Sequence, residues 1–166
     1  MNANINYLAL KNEVANDPLH LGYSGKTDAQ VAALGDSLSS AGAATVTMTA
    51  LSKNAFLAAT VAAAVRCATG LDINNAALGA GIAAKWNAVL QQAQNADPGS
   101  LINLSLVESG ALGSPVADKV MTQAEYNALV TRPGTRFEAA GVFSAALTDT
   151  LCTVAEQDVG IARNGS

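Results

Sequence analysis

The chain has 166 residues and a formal net charge of −4; half of its residues are hydrophobic and 13% are charged. That length suits one domain, and the composition is too apolar for a disordered chain. The pI of about 4.7 argues against a nucleic-acid surface, and a single His with two Cys excludes zinc fingers and most His-based metal sites.

Residues 1–7 have no basic start and no long apolar run, so no secretory leader is expected. About one residue in five is Ala and aromatics are few, which favours helices over sheets. A first helix is predicted over residues 5–15, with Tyr7, Leu10 and Val14 on one face, stopped by Asp17-Pro18 because the residue before Pro avoids the helical region. Residues 19–26 form a loop punctuated by Gly22 and Gly25. Thr27-Asp28-Ala29-Gln30 is a capping box that opens a helix carrying Val31, Leu34 and Leu38, ended by residues 39–42. Residues 45–49 alternate polar and apolar, as a short strand or an extended lead-in. A long helix then runs from near Thr49 or Ser52 to Gly70, with Phe56, Thr60, Ala63 and Cys67 on one face. Its apolar stretch, residues 55–65, is shorter than the roughly 20 residues of a bilayer span, so no membrane is expected as a partner.

Residues 72–96 read as one or two helices, with a break or a close contact at Gly79 and Gly81. Beyond the break Ile82, Trp86, Val89, Leu90 and Ala93 make the clearest amphipathic stripe of the chain, and Trp86 is expected in the core. Residues 101–107 are an apolar run whose length does not separate strand from helix; helix is favoured because its neighbours are helical. Thr122-Gln123-Ala124-Glu125 is a second capping box, with Met121 placed to staple against Tyr126. Pro133-Gly134 ends that helix and Thr135 opens another. Residues 147–152 are a candidate extended segment to pair with residues 45–49, and Thr153-Val154-Ala155-Glu156 is a third capping box before the last helix. The expected fold is all-α: one domain over residues 1–166, a bundle of six to eight short helices with at most a small two-stranded ribbon. Its core should include Leu10, Val14, Val31, Leu34, Phe56, Val61, Ile82, Val89, Leu90 and Leu129.

Motifs for catalysis are sparse. Gly25-Lys26-Thr27 ends like a P-loop, but the position that needs the first Gly holds His20, and a helix rather than a strand is predicted ahead of it. Nucleotide binding or catalysis on this loop is the alternative from the enzyme class. His20 has the pKa range of a general base but no nucleophile or acid at a telling spacing. Cys67 and Cys152 are expected as free, reduced thiols, Cys67 as a small buried hydrophobe. The scattered carboxylates suit helix first turns. No catalytic residue, cofactor or metal is expected, and the chain is not expected to be an enzyme. His20, Tyr23 and Lys26, displayed between glycines in the 19–26 loop, are the candidate partner contacts.

Two segments carry a resemblance. Residues 10–19, Leu-Lys-Asn-Glu-Val-Ala-Asn-Asp-Pro-Leu, followed by Gly22-Tyr23 and Thr27-Asp28, resemble the opening of a family of small tailed-bacteriophage proteins encoded among virion structural genes. That opening runs roughly Leu-Lys-x-Glu-Leu-x-x-Asp-Pro-Leu-x-x-Gly-Tyr-x-x-Met-Thr-Asp, and Lys26 stands here in place of the usual Met. Thr135-Arg136-Phe137-Glu138 and residues 154–163 are similar to the family's ending. The Ala-rich middle matches poorly. Most members have no assigned activity, so the resemblance implies no catalytic residue. It implies a virion structural protein, assembled in the bacterial host cytoplasm, that binds portal, neck, tail or capsid subunits in several symmetric copies. The head–tail neck or tail region suits a small helical protein; a capsid decoration protein and a host-directed regulator outside the virion are the alternatives.

Overall fold

The structure is a computed structural model that describes residues 2–38, 44–105, 114–144 and 147–165. It is mostly helical, with eight helices and two short two-stranded sheets among the described residues. The chain divides into two compact units: residues 1–47 with 132–166, and residues 48–131. Each has its own hydrophobic core.

The first unit is built from both ends of the chain. Helix α1 (Tyr7–Asn16) is capped by Asn6, whose side chain accepts the Ala9 N–H, and ends at Asp17 in the left-handed region. Helix α2 (Asp28–Gly35) starts at the expected Thr27–Gln30 box: Thr27 Oγ1 accepts from Gln30 N–H and Gln30 Oε1 from Thr27 N–H. It stops at Gly35, earlier than its stripe suggested, so Leu38 lies beyond the helix and is exposed. The last residue of α2 has to be glycine: a Cβ on Gly35 would stand 2.1 Å from Cε2 of Phe137. The expected terminator, residues 39–42, lies outside the described residues. Strand β1 (Ala44–Thr47) pairs with β4 (Thr131–Gly134), which enters this unit at Arg132.

Helix α7 (Arg136–Ala139) follows the Thr135 cap, where Glu138 completes the box, and α8 (Glu156–Asn164) closes the chain against α1 and α2. Leu10, Val14, Tyr23, Val31, Phe137, Val142 and Val159 fill the core, with Leu34 partly buried at its edge. Two charged pairs are shut in with it. Arg136 meets Glu13 through two hydrogen bonds of 2.6 Å, and Arg132 meets Glu138, whose side chain is fully shielded. Buried pairs of this kind require both partners, because either one alone is an uncompensated charge.

The second unit holds β2 (Ala50–Ser52), α3 (Lys53–Ala59), α4 (Val61–Thr69), α5 (Ala80–Asn95), β3 (Leu101–Asn103) and α6 (Gln123–Val130). The long helix expected to reach Gly70 breaks at Thr60, whose hydroxyl donates to the Phe56 carbonyl at 2.8 Å. Gly70 then ends α4 in the left-handed region. Phe56, Thr60, Ala63 and Cys67 do share the buried face. Helix α5 begins after Gly79 and buries Trp86, Val89, Leu90 and Ala93, with Ile82 partly covered; Trp86 Nε1 donates to Asp118 at 3.1 Å. The Thr122 box caps α6 as expected, and Arg66 of α4 grips Glu125 in a two-pronged pair of 2.8 and 3.0 Å. That guanidinium, outweighing partial burial, holds the Glu125 carboxyl down at about 2.

Four expectations need correction. Residues 101–103 are a strand, not a helix: β3 runs antiparallel to β2 with Leu51 opposite Ile102, and both face the core while Leu101 is exposed. A period-two pattern of three residues is too short to show in the sequence, and its partner is some 50 positions away; residues 106 and 107 lie outside the described residues. Residues 147–152 do not pair with β1, whose partner is β4. Gly134 permits that pairing, since a Cβ there would stand 2.4 Å from Cγ1 of Val46. The last helix is capped at Ala155, not Thr153. Val154 donates its N–H to Asp36, Ala155 is extended, and Asp158 accepts the Ala155 N–H. Finally Val61, expected in the core, is 58% exposed: it follows Thr60 directly, and the face that buries Thr60 turns Val61 outward.

Candidate functional site

The 19–26 loop is organised by one carboxylate. Asp17, at φ 39°, receives the backbone N–H groups of Leu21, Gly22 and Tyr23 at 2.7, 2.7 and 3.3 Å. Partial desolvation works against the charge, but those donors prevail and hold the Asp17 carboxyl below its ordinary range. From the other side Arg163 of α8 donates to the carbonyls of Tyr23 and Lys26 and pairs with Asp28 at 2.6 Å. The loop is thus pinned at both ends by ionic groups rather than by apolar packing alone.

This pinning separates the three candidate contact residues. His20 is exposed at φ 55°, and Lys26 is half-buried. Tyr23 is not displayed at all: its ring is fully buried, stacked on Phe137 with centroids 6.3 Å apart. The ring fills the core as a Phe ring would, but its buried hydroxyl carries a desolvation cost that a Phe would not. Burial, reinforced by the Glu13 carboxylate, pushes its ionisation far above the usual range, and its hydroxyl makes no hydrogen bond of 3.5 Å or less. Beside the loop lies a cleft of about 300 Å³ bordered by Lys11, Val14, Asp17, Ser24, Ala162 and Arg163. Gly25-Lys26-Thr27 follows helix α1, not a strand, and the Thr27 hydroxyl is engaged as a cap.

The second candidate surface lies on α3 and α4. No charged residue occurs from Asn54 to Val65. Val61 and Val65 stand out from this face at 58% and 56% exposure, and beside them runs a groove of about 400 Å³ lined by Leu57, Thr60, Ala64, Leu90 and Gln94. Arg66, which would put a charge at its end, is turned toward Glu125 and the Val120 carbonyl. The sequence carried a signal for this surface: Val61, Val65 and Ala68 recur at i, i+4 and i+7, one helical step from the buried Thr60-Ala63-Cys67 face.

Cys67 and Cys152 are both free, and burial raises both thiols above their ordinary range. Among the described residues no group of three or more His, Cys, Asp or Glu is placed to hold a metal ion, and no helix is long and apolar enough to cross a membrane. No protein-family model, no curated protein and no solved structure matches this chain.

Proposed function

We propose that this protein is a virion structural component of a tailed bacteriophage that works by binding other particle subunits, in the head–tail neck or tail region. The observation that carries the reading is the uncharged face of α3 and α4. Two β-branched side chains more than half exposed beside an apolar groove are what a permanent protein contact covers, since interface cores are depleted of charge. The resemblance of residues 10–19 and 22–28, and of 135–138 and 154–163, to small phage virion proteins supplies the class of partner: portal, neck, tail or capsid subunits, and further copies of the chain itself.

Mass spectrometry of purified particles tests this. The expected result is the chain at a fixed copy number alongside the portal and tail proteins. A chain abundant in infected cells but missing from washed particles would overturn the proposal and leave a host-directed regulator in its place.

A further inference from the structure

Residues 147–155 lead into α8 without helix or strand of their own. Side chains of the first unit hold their backbone instead. Arg132 commits all five of its N–H groups: Nε to the Thr148 carbonyl at 2.6 Å, Nη2 to the Thr150 carbonyl at 3.0 Å, and the remaining three to Pro133 and Glu138. Glu138 in turn accepts the N–H of Cys152 at 2.8 Å and of Thr135 at 2.9 Å. The last anchor is Asp36, whose Oδ2 accepts the Val154 N–H at 2.9 Å.

The anchors are not equally satisfied. Arg132 and Glu138 neutralise each other and fill their hydrogen-bonding capacity. Asp36 has the Val154 N–H on one oxygen, while its Oδ1 is buried with no hydrogen-bond partner. Among the described residues, the titratable groups that bear on it offer no compensation: Glu138 comes from α7 with a like charge, and Cys152 comes from the strap as a neutral thiol. An ionised Asp36 is therefore poorly housed with the strap closed, and opening the strap at Val154 would return it to water.

We propose that Asp36 is an acid-operated latch on the 147–155 strap: its protonation fastens the strap over the first unit, and its ionisation at neutral pH favours local opening at Val154. Burial, with Glu138 adding to it and the Val154 N–H opposing it, pushes the Asp36 carboxyl up to about 6, which places the change in the mildly acidic range. The sign follows from linkage. Between about pH 4 and pH 6 the closed form is protonated while a hydrated Asp36 is ionised, so closure is strongest at the acid end and weakens as pH rises through 6. The latch is independent of what the protein binds.

Amide hydrogen exchange of the intact chain, corrected for intrinsic rates, tests it. Protection at Cys152 and Val154 should be about tenfold greater at pH 5 than at pH 7.5, while amides in the middle of α5 show no such ratio. Asp36→Asn keeps an acceptor for Val154 but cannot ionise, and should remove the ratio. Equal protection at both pH values in the wild-type chain overturns the latch, and so does a ratio that survives in folded Asp36→Asn. If that variant does not fold, titration of the Asp36 carboxyl by NMR in the wild-type chain decides: a midpoint near its ordinary value overturns the proposal, and one near 6 that coincides with the protection change at Val154 supports it.

Discussion

Gly35→Ala sets secondary-structure propensity against packing. On propensity alone, replacing a helical glycine with alanine stabilises by up to about 1 kcal/mol. The structure reverses the sign. A Cβ on Gly35 would lie 2.1, 2.2 and 2.5 Å from Cε2, Cζ and Cδ2 of Phe137, whereas carbon atoms in contact sit about 3.5–4.0 Å apart. The ring would have to retreat by about 1.5 Å. It has nowhere to go, being fully buried and stacked on Tyr23. Overpacking costs about 1–3 kcal/mol, and three contacts this short put Gly35→Ala at the upper end, so after the propensity gain of about 1 kcal/mol the expected net loss is about 2 kcal/mol. Urea unfolding followed by far-ultraviolet circular dichroism measures it. In the double variant with Phe137→Leu, the two losses should fall short of additivity by at least about 1 kcal/mol, because the smaller side chain vacates the contested space. A Gly35→Ala protein as stable as the wild type, or more stable, would refute the placement of Phe137 against α2.

The N-caps give a contrast within one assay: Thr122→Ala should cost about 0.5–2 kcal/mol, whereas Thr153→Ala, exposed and outside the last helix, should stay within about 0.5 kcal/mol of wild type in the same urea titration. Glu125 has a folded-state pKa of about 2, below its unfolded value, so its contribution to stability is present above about pH 4.5 and is lost as pH falls toward 2. Trp86 lies in the same unit, so its fluorescence should report acid unfolding over that window, and Glu125→Gln should flatten the pH dependence there while lowering stability at pH 7. Val61→Glu with Val65→Glu should leave circular dichroism and urea midpoint nearly unchanged, as expected for exposed sites, yet abolish incorporation into particles; normal incorporation would show that the α3–α4 face is not the contact.

What the sequence determined by itself was local and short-range. The boxes at Thr27 and Thr122 became caps because each needs only four consecutive residues to satisfy its own backbone groups. The stripe from Trp86 to Ala93 found the core because a helix of 16 residues repeats its period often enough to mark a face. The start of α5 after Gly79 was only half legible: residues 72–79, read as helical, form no helix, because Asp72 accepts the N–H groups of Asn74 and Ala76 in a turn instead. The contacts that set the loop and the strap were not legible. Arg163 meeting Asp28 and Asp36 meeting Val154 join positions more than 100 residues apart. No spacing rule links such pairs, because their distance along the chain carries no information about their distance in space.

Tyr23 shows the same limit at one side chain. Its neighbours His20, Gly22 and Gly25 read as a surface loop, and they are exposed, yet its ring is drawn inward by Phe137 from the far end of the sequence. Which termini share a core, which strand β1 pairs with and which face of α4 stays bare are decided by where apolar side chains can be covered together. That is a property of the assembled chain. Periodicity names the faces that want burial, and only the tertiary packing decides which of them receive a partner, as it did for Phe56 and did not for Val61.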